Sequence, residues 1–261
     1  MLQNRVSFVG AGRVAGALCR EMHMAGLSIH QIVSETGASS RKLADSCKAS
    51  WSQDLTFTDA TDIIIVAVPD HRLKTVLENI KCSMNSVIVH TAGSMGIDIF
   101  PEHMKHVGVL YPLQTFSNER KVVFKNLPFF IEASDNHSLI LLKNIAEAIG
   151  GKVHFVDTEH RRLLHVASVF VCNFTNHMFS AGKEISSKAG FSFDVLEPLI
   201  KETVSKALER GPENSQTGPA VRSDHNTIKK HLNLLSFSPD LQSIYREVTK
   251  SIIHYHKSSE R

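Results

Sequence analysis

One stretch near the start of the chain decides the fold: RVSFVGAGRVAG, residues 5–16. An apolar run ends at Gly10, and the spacing Gly10-x-Gly12-x-x-Ala15 then opens a helical pattern. Gly10 permits a tight strand-to-helix turn, Gly12 leaves room for a pyrophosphate against the backbone, and Ala15, helped by Gly16, lets helix and strand pack closely. The stretch therefore predicts a dinucleotide-binding Rossmann unit.

The turn also predicts the residues that contact the pyrophosphate, which would lie at the positive end of the helix. They are Gly10, Ala11, Gly12, Arg13 and Val14. A cation at Arg13 opposes the helix dipole at a cost of about 0.3–1 kcal/mol, and a bound phosphate would reverse that cost. A solvated surface arginine is the alternative.

The residues after the second predicted strand, Ser28 to Val33, bear on which dinucleotide binds. NAD-specific enzymes usually carry an acidic residue at the position of Ser34. The side chains able to donate to a 2′-phosphate here are Ser34, Thr36, Ser39, Ser40 and Arg41. This favours NADP as the cofactor, with NAD as the alternative because Glu35 would repel a phosphate and could bind a ribose hydroxyl.

Apolar runs alternate with helical patterns as far as residue 156, which is typical of a doubly wound α/β sheet. The β-branched run Asp62–Val68 fits a parallel strand buried on both faces. From Thr158 onward helical patterns dominate, over 158–189, 193–210, 224–235 and 239–256. We predict a Rossmann domain over 1–156 and an all-helical domain for substrate binding and dimerisation over 157–261.

Composition excludes several classes of function. The 261 residues carry a formal charge of only +3 and no long Lys/Arg run, which argues against a nucleic-acid partner. No apolar run is long enough to span a bilayer, which argues against a membrane partner. The four cysteines (Cys19, Cys47, Cys82 and Cys172) lack metal-site spacing, so we expect core thiols of a cytoplasmic protein and no metal site.

A series of motifs follows one order along both halves of the chain: Gly10–Ala15, Val68-Pro69-Asp70, His90–Ser94, Tyr111–Phe116, His165, Asn173, Leu196–Leu199, Thr217–Ala220 with Arg222 and Asp224, and His231-Leu232. This order resembles one family, which pairs a Rossmann-like domain with a C-terminal helical domain of unknown function and whose members are labelled NADP oxidoreductases. The chain is also broadly similar to pyrroline-carboxylate reductases, deazaflavin-dependent NADP reductases and hydroxyacid dehydrogenases of the 6-phosphogluconate type.

This resemblance implies a reductase architecture and a dimer formed by the helical domain, but it supplies no substrate. It also has one departure. The hydroxyacid dehydrogenases carry a catalytic lysine four residues before an asparagine, and here Val169 stands four residues before Asn173. Their mechanism is therefore not transferred to this chain.

Residues just after strands are candidates for ligand contact, because ligands bind beyond the carboxyl ends of an open α/β sheet. Val68, Pro69 and Ser94 are expected at the cofactor. Helix N1 geometry for Pro69, and capping for Asp70 and Ser94, are the structural alternatives. Gln114 and Thr115 are expected to face the nicotinamide or the substrate.

The predicted helix from Thr158 carries the catalytic candidates, His165 and Asn173. It is apolar almost all round, so we expect it to be buried. His165 would donate a proton and Asn173 would anchor a carbonyl or imine. The alternative is that both form hydrogen bonds within the core or across a dimer interface.

The loop before the third helical pattern supplies two further substrate-binding candidates. Arg222 could pair with a substrate carboxylate, and Thr217 has a hydroxyl beside a rigid Gly-Pro turn. Asp224 is expected to cap the following helix.

Together these residues predict an NADP-dependent oxidoreductase. It would transfer hydride to a small C=O or C=N substrate held between the two domains of a homodimer. The alternative is a catalytically inactive nucleotide-binding sensor or scaffold, since the sequence shows no recognisable catalytic lysine or tyrosine–lysine pair.

Overall fold

The structure is a computed structural model that describes residues 4–58, 60–117 and 120–259. The chain divides into two compact units, Met1–Asn173 and Phe174–Arg261. The domain boundary predicted after residue 156 precedes this division by one helix. No helix within the described ranges combines the length and apolar character that a membrane span requires.

One sheet organises the first unit. Its strands are β1 (Arg5–Val9), β2 (Ser28–Val33), β3 (Ser50–Ser52), β4 (Ile63–Val66), β5 (Val87–His90), β6 (Val107–Pro112), β7 (Pro128–Ala133) and β8 (Lys152–Phe155). Their order is β3-β2-β1-β4-β5-β6-β7-β8. Among these strands every neighbouring pair is parallel except the antiparallel pair β6–β7. The predicted doubly wound α/β fold is confirmed, while β3 and the antiparallel pairing were not predicted.

The central strand β4 shows why the sheet forms. Ile63 and Ile65 pack into the hydrophobic cluster on one face, and Ile64 and Val66 pack into the cluster on the other. All four are essentially inaccessible to solvent. Burying side chains of this size is worth about 1.5–3 kcal/mol each, so a continuous β-branched run favours a strand covered on both faces, as predicted.

Helices cover the two faces of this sheet. They are α1 (Arg13–Met24), α2 (Gly37–Cys47), α3 (Asp70–Asn79), α4 (Asn136–Ala148) and α5 (Thr158–Ser168), followed by a π-helical turn, Val169–Phe174. Side chains of α1, α2 and α4 join the cluster around Ile63, whereas those of α3 join the cluster around Ile64. The sheet is therefore the middle layer of a three-layer unit.

The second unit contains α6 (Thr175–Lys188), α7 (Glu197–Arg210), α8 (His225–Leu234) and α9 (Pro239–Ser259), with a 3-10 turn at Phe193–Leu196. The helical class predicted for this region is confirmed. Asp224 caps α8 as expected, because its carboxylate accepts from the Thr227 N–H at 3.0 Å.

The prediction that the helix from Thr158 is buried was wrong for the single chain. The π-helical turn interrupts it, and large apolar side chains on both sides of that turn are exposed: Leu163, Val166, Phe170 and Val171. Cys172, expected in the core, is only half-buried. An apolar stretch exposed in this way is typical of a surface that another chain or a ligand covers.

Candidate cofactor and proton-transfer site

The turn after β1 has the geometry that its glycines predict. Gly10 has φ +101°, a conformation that side chains rarely adopt. A Cβ at Gly10 would lie 2.3 Å from the carbonyl oxygen of Ala67 and 3.4 Å from Val68. Gly10 therefore brings the ends of β1 and β4 into contact, at the point where the order of the strands reverses. Ligands bind at this point in open α/β sheets.

Gly12 has a different role. It is the N-cap residue of α1, in an extended conformation, and no side chain caps the helix. A Cβ at Gly12 would have no atom within 4 Å, so the space in front of the first N–H groups of α1 is open. An uncapped helix N-terminus facing open space fits a pyrophosphate. Ala11 and Val14 flank this turn half-buried, and Arg13 is exposed.

Close packing of α1 onto the sheet depends on Ala15, which is fully buried. The three atoms nearest to a Cβ built at Gly16 all belong to the guanidinium of Arg20 on the same helix, at 3.2–3.6 Å. The contribution of Gly16 to close packing of helix and strand stays a prediction.

The segment after β2 presents donors at the same edge of the sheet. The hydroxyls of Ser34 and Thr36 lie 3.4 Å apart, and the guanidinium of Arg41 lies 6.0 Å from the ring centre of Trp51. Ser34 is half-buried, and Thr36, Ser39 and Arg41 are exposed. Ser40 is buried and donates to the Gly37 carbonyl at 3.1 Å, so its predicted availability to a phosphate was wrong.

An ion pair changes the meaning of Glu35. Both carboxylate oxygens of Glu35 accept from the guanidinium of Arg72 on α3. This pairing lowers the pKa of the Glu35 carboxyl and keeps it ionised, while Arg72 balances its charge. The negative charge of the carboxylate that favoured NAD is thus offset by Arg72, which the sequence did not indicate as its partner. Glu35 would therefore repel a bound 2′-phosphate less than the sequence suggests.

A hydrogen bond between two side chains links the segments that follow β4 and β5. Pro69 is the N-cap residue of α3 rather than its first helical residue, and no side chain caps that helix. The Ser94 hydroxyl donates to the Asp70 carboxylate. The capping alternatives for Asp70 and Ser94 were therefore wrong. Their hydrogen bond instead joins the start of α3 to the loop after β5.

A tyrosine–histidine pair lies at the same edge. The Tyr111 hydroxyl on β6 and Nδ1 of His165 on α5 are 3.0 Å apart, with the rings edge-to-face and their centres 5.8 Å apart. Burial raises the pKa of the Tyr111 phenol, so this hydroxyl stays protonated at neutral pH. Both residues are only half-buried. Because Nδ1 is occupied by Tyr111, Nε2 is the nitrogen left for a ligand.

Gly93 in the loop after β5 makes room for this pair. A Cβ at Gly93 would lie 2.7 Å from Cζ of Tyr111 and 2.8 Å from Nδ1 of His165. These distances are shorter than any ordinary carbon contact. The glycine in the His90–Ser94 motif is therefore required by the approach of two side chains that are distant in sequence.

Three side chains among the first five residues of α5, upstream of His165, fix this helix to the end of β7 and to the loop after β5. Arg161 is fully buried and donates to the Glu132 carboxylate at the end of β7 and to the Met95 carbonyl. Thr158 donates to Glu132 at 2.8 Å. Arg162 donates to the Ser94 carbonyl at 2.9 Å. These contacts hold α5 against the loop after β5.

His90, at the end of β5, is a structural histidine. Its Nδ1 accepts from the Ala92 N–H at 3.2 Å, so its Nε2 carries the hydrogen that is donated to the Gly96 carbonyl at 3.3 Å. Burial lowers the pKa of His90 to about 4. The neutral ring therefore links Ala92 to Gly96 within the loop whose Gly93 adjoins the Tyr111–His165 pair.

The remaining candidates in the first unit are more exposed. Gln114 and Thr115 follow β6, and the Gln114 side-chain oxygen accepts from the Thr115 N–H at 2.9 Å. Asn173 is exposed within the π-helical turn. Single π-helical turns are frequent at functional sites. His165 has described hydrogen bonds through its Nδ1, with Tyr111, and through its carbonyl, which accepts from the Ser168 hydroxyl and the Val169 N–H.

The second unit holds the other two substrate candidates. Thr217 borders an apolar groove of about 370 Å³ between α6 and α9, whose walls include Met178, Ile185 and Val248. Arg222 is exposed, and its charge helps to lower the pKa of the Asp224 carboxyl, after the hydrogen bonds from Thr227.

Comparisons with known proteins agree with this architecture. Residues 5–93 match a family profile described as NADP oxidoreductase coenzyme F420-dependent. Residues 127–252 match a profile described as Domain of unknown function (DUF2520). No curated protein sequence matches the chain.

Several solved structures share the fold. A Bacteroides fragilis protein described as a "putative NADP oxidoreductase" is 38% identical, with a TM-score of 0.86, covering 97% of this chain and 98% of that one. A Thermotoga maritima protein is 23% identical, with a TM-score of 0.72, covering 98% and 100%. A reductive aminase from Aspergillus terreus in complex with NADPH and ethyl-5-oxohexanoate is 10% identical, with a TM-score of 0.71, covering 97% and 94%.

The last two similarities show the fold alone. The first extends over nearly the whole of both chains at an identity that shows common membership, and the two profiles match residues 5–93 and 127–252 within it. The chain therefore belongs to the family of NADP oxidoreductases that joins an N-terminal Rossmann-like domain to a C-terminal DUF2520 domain.

Proposed function

We propose that this oxidoreductase is a reductase that adds hydride to the C=O or C=N group of a small substrate, with His165 as the proton donor. The observation that carries the proposal is the Tyr111–His165 hydrogen bond at the carboxyl edge of the sheet. A half-buried imidazole in that position is accessible to a ligand, and its Nδ1 is already held by the Tyr111 hydroxyl.

NADP is the cofactor of this family, as the sequence predicts. When bound as NADPH it supplies the hydride. We propose that the first N–H groups of α1, in front of Gly12, bind its pyrophosphate. The full set of proposed cofactor contacts is Gly10, Ala11, Gly12, Arg13, Val14, Ser34, Thr36, Arg41, Val68, Pro69 and Ser94.

Reduction of a carbonyl or imine consumes one proton, which the protein has to deliver to the developing oxyanion or amine. We propose that Nε2 of the protonated His165 ring donates it, which leaves a neutral imidazole whose Nδ1–H donates to the Tyr111 hydroxyl. Tyr111 holds the ring through Nδ1 and thereby fixes which nitrogen faces the substrate. Positioned general acids of this kind typically contribute about 10²–10⁴ in rate. Asn173 remains a proposed anchor for the carbonyl or imine.

The substrate contacts are proposed from exposed polar side chains. Gln114 and Thr115 follow β6, the strand that carries Tyr111, and Thr217 and Arg222 belong to the second unit. An arginine would favour a substrate with a carboxylate, because its planar guanidinium pairs with two oxygens at once. Solved proteins that share the fold include a reductive aminase and an imine reductase, which makes imines a reasonable first group to test.

We also propose that the protein is a homodimer formed mainly by the second unit. Among its described residues, the buried hydrophobic side chains are Ala220, Leu235 and Leu241. Many others are exposed, including Leu199, Leu208 and Phe191, and Leu208 is 83% exposed. Monomeric proteins rarely expose apolar surface on this scale, and a second copy of the chain would cover it.

NADPH oxidation, followed by absorbance with small keto acids and cyclic imines, tests the reductase proposal. We expect His165→Gln to lower kcat by about 10²–10⁴ and Tyr111→Phe to lower it less, with NADPH affinity retained in both. The matched control is His160→Gln, on the same helix, where the exposed imidazole pairs with Asp157. It should keep full activity.

Two outcomes would contradict this proposal in different ways. Unchanged kcat in His165→Gln would remove the residue from proton transfer. Tight NADPH binding without turnover of any compound in the panel would favour the alternative, a nucleotide-binding sensor or scaffold. For the dimer, light scattering at micromolar concentration should give twice the 29.0 kDa chain mass, and a monomer would refute it.

A further inference from the structure

Two cysteines that lack metal-site spacing in the sequence meet in the first unit. Cys19 on α1 and Cys47 at the end of α2 are both buried, and their sulfur atoms lie 3.2 Å apart. A disulfide needs an S–S distance of about 2.05 Å. The sulfurs would therefore have to approach by roughly 1 Å, a small shift for two neighbouring helices. Cys82 and Cys172 have no such neighbour among the described contacts.

The surroundings of the pair distinguish its two sulfurs. The Cys19 thiol donates toward the Cys47 sulfur, and the Ser46 hydroxyl lies 3.6 Å from it. These contacts, with the nearby charges of His23 and Arg20, lower the pKa of Cys47. The pKa of Cys19 is raised, first by its hydrogen bond to Cys47 and then by burial. Cys47 is therefore the sulfur that ionises, and Cys19 is the one that keeps its proton.

A cavity of about 560 Å³ reaches the residue that precedes Cys47 in the chain, although neither cysteine is among its lining residues. Ser46, the neighbour of Cys47, lines it together with His23, Arg20, Arg120 and Lys121. Glu21 is the acidic residue of the lining, so the approach carries a net positive charge. Positive surroundings stabilise a thiolate and the anion that leaves when it reacts. Because Cys47 itself is buried, a small oxidant is favoured over a bulky one.

We propose that Cys19 and Cys47 form a redox-active dithiol that a small hydroperoxide oxidises to a disulfide. The Cys47 thiolate attacks the terminal peroxide oxygen, the O–O bond breaks, and hydroxide or alkoxide leaves with the electron pair. Cys47 becomes a sulfenic acid. The Cys19 sulfur then attacks the Cys47 sulfur, the S–O bond breaks, and the Cys19 proton leaves with the departing hydroxyl as water.

The disulfide would cross-link α1 and α2. Helix α1 begins at the Gly12 turn, and α2 begins directly after Thr36. The bond would thus join the two helices that begin at the proposed pyrophosphate and 2′-phosphate contacts and carry some of them. The proposal itself concerns the dithiol, and its test does not depend on cofactor binding or turnover.

The test treats the reduced full-length protein with stoichiometric hydrogen peroxide. We expect the loss of two thiols, a mass decrease equal to two hydrogen atoms, and a cross-linked peptide joining Cys19 to Cys47. Dithiothreitol should reverse all three changes. The matched control is the Cys82→Ala/Cys172→Ala double variant, which should behave like the parent protein.

Single variants test the order of the two steps. Cys19→Ala should stop at a Cys47 sulfenic acid that dimedone labels, whereas Cys47→Ala should leave Cys19 unlabelled. Should either variant fail to fold, peptide mapping of the parent protein still decides. A mass increase from added oxygen without a 19–47 cross-link, or oxidation of Cys82 or Cys172 first, would overturn the proposal.

Discussion

Substituting Gly12 should change stability and cofactor binding independently of each other. Gly12 is the N-cap residue of α1, with φ −77° and ψ −166°, and a Cβ there would meet no atom within 4 Å. Any residue can adopt this conformation, so Gly12→Ser and Gly12→Ala should both fold. Both add a Cβ in the space proposed for the pyrophosphate.

The helix cap sets the size of the stability change. Serine is a better N-cap than glycine by a few tenths of a kcal/mol, because its hydroxyl accepts from an N–H of the first turn, and alanine is worse than serine by about 1 kcal/mol. For a chain of this size, 1 kcal/mol shifts Tm by about 2–4 °C. We therefore expect Gly12→Ser to melt slightly above the parent protein and Gly12→Ala below it, with about 2–4 °C between them.

Binding should fall in both variants. One backbone hydrogen bond to a charged phosphate oxygen is worth about 1.5–3 kcal/mol, so losing one weakens NADPH binding by about tenfold or more. Thermal unfolding without nucleotide gives the stability order, and NADPH fluorescence titration gives the affinities. Parent-like affinity in both variants would refute the assignment of the pyrophosphate to this turn. A large loss of stability in both would show that the space at Gly12 is not open.

Three further predictions follow from the same site. Since the pKa of His90 falls from 6.5 to about 4 on folding, its contribution to stability is complete above about pH 6.5. That contribution declines as the pH falls toward 4, by about 2 kcal/mol at pH 5. Tm measured at about pH 6.5 and at about pH 5 should show this loss of stability. An identical loss in His90→Gln would contradict the prediction. Gly93→Ala forces a methyl group between Tyr111 and His165, so it should lower the free energy of unfolding by about 1–3 kcal/mol and also lower kcat. Parent-like stability in calorimetry together with parent-like turnover would count against the Tyr111–His165 pair. Arg72→Gln should weaken NADPH binding more than NADH binding, because Glu35 then repels the 2′-phosphate; competition titrations that give an equal loss for both nucleotides would separate Arg72 from cofactor preference.

Local signals allowed much of the first unit to be predicted. The glycine-rich turn, the β-branched run of β4 and the alternation of strands and helices each lie within a short window, and together they restrict the unit to a doubly wound sheet. Strand β3 was missed because Ser50–Ser52 is short and has no apolar run. The π-helical turn at Val169–Phe174 was missed because five of its six residues are apolar, which leaves too little periodicity to reveal a change of register.

The sequence by itself determined the glycine-rich turn and the two structural classes along the chain, and it favoured NADP over NAD, because each of these depends on residues that are close in sequence. Only the tertiary structure decided which side chains meet. Tyr111 and His165 are 54 residues apart, Glu35 and Arg72 are 37 apart, and Cys19 and Cys47 are 28 apart. Such pairs form because the strand order and the packing of helices on a buried sheet bring distant segments together, and one sequence contains no local pattern that specifies the partner.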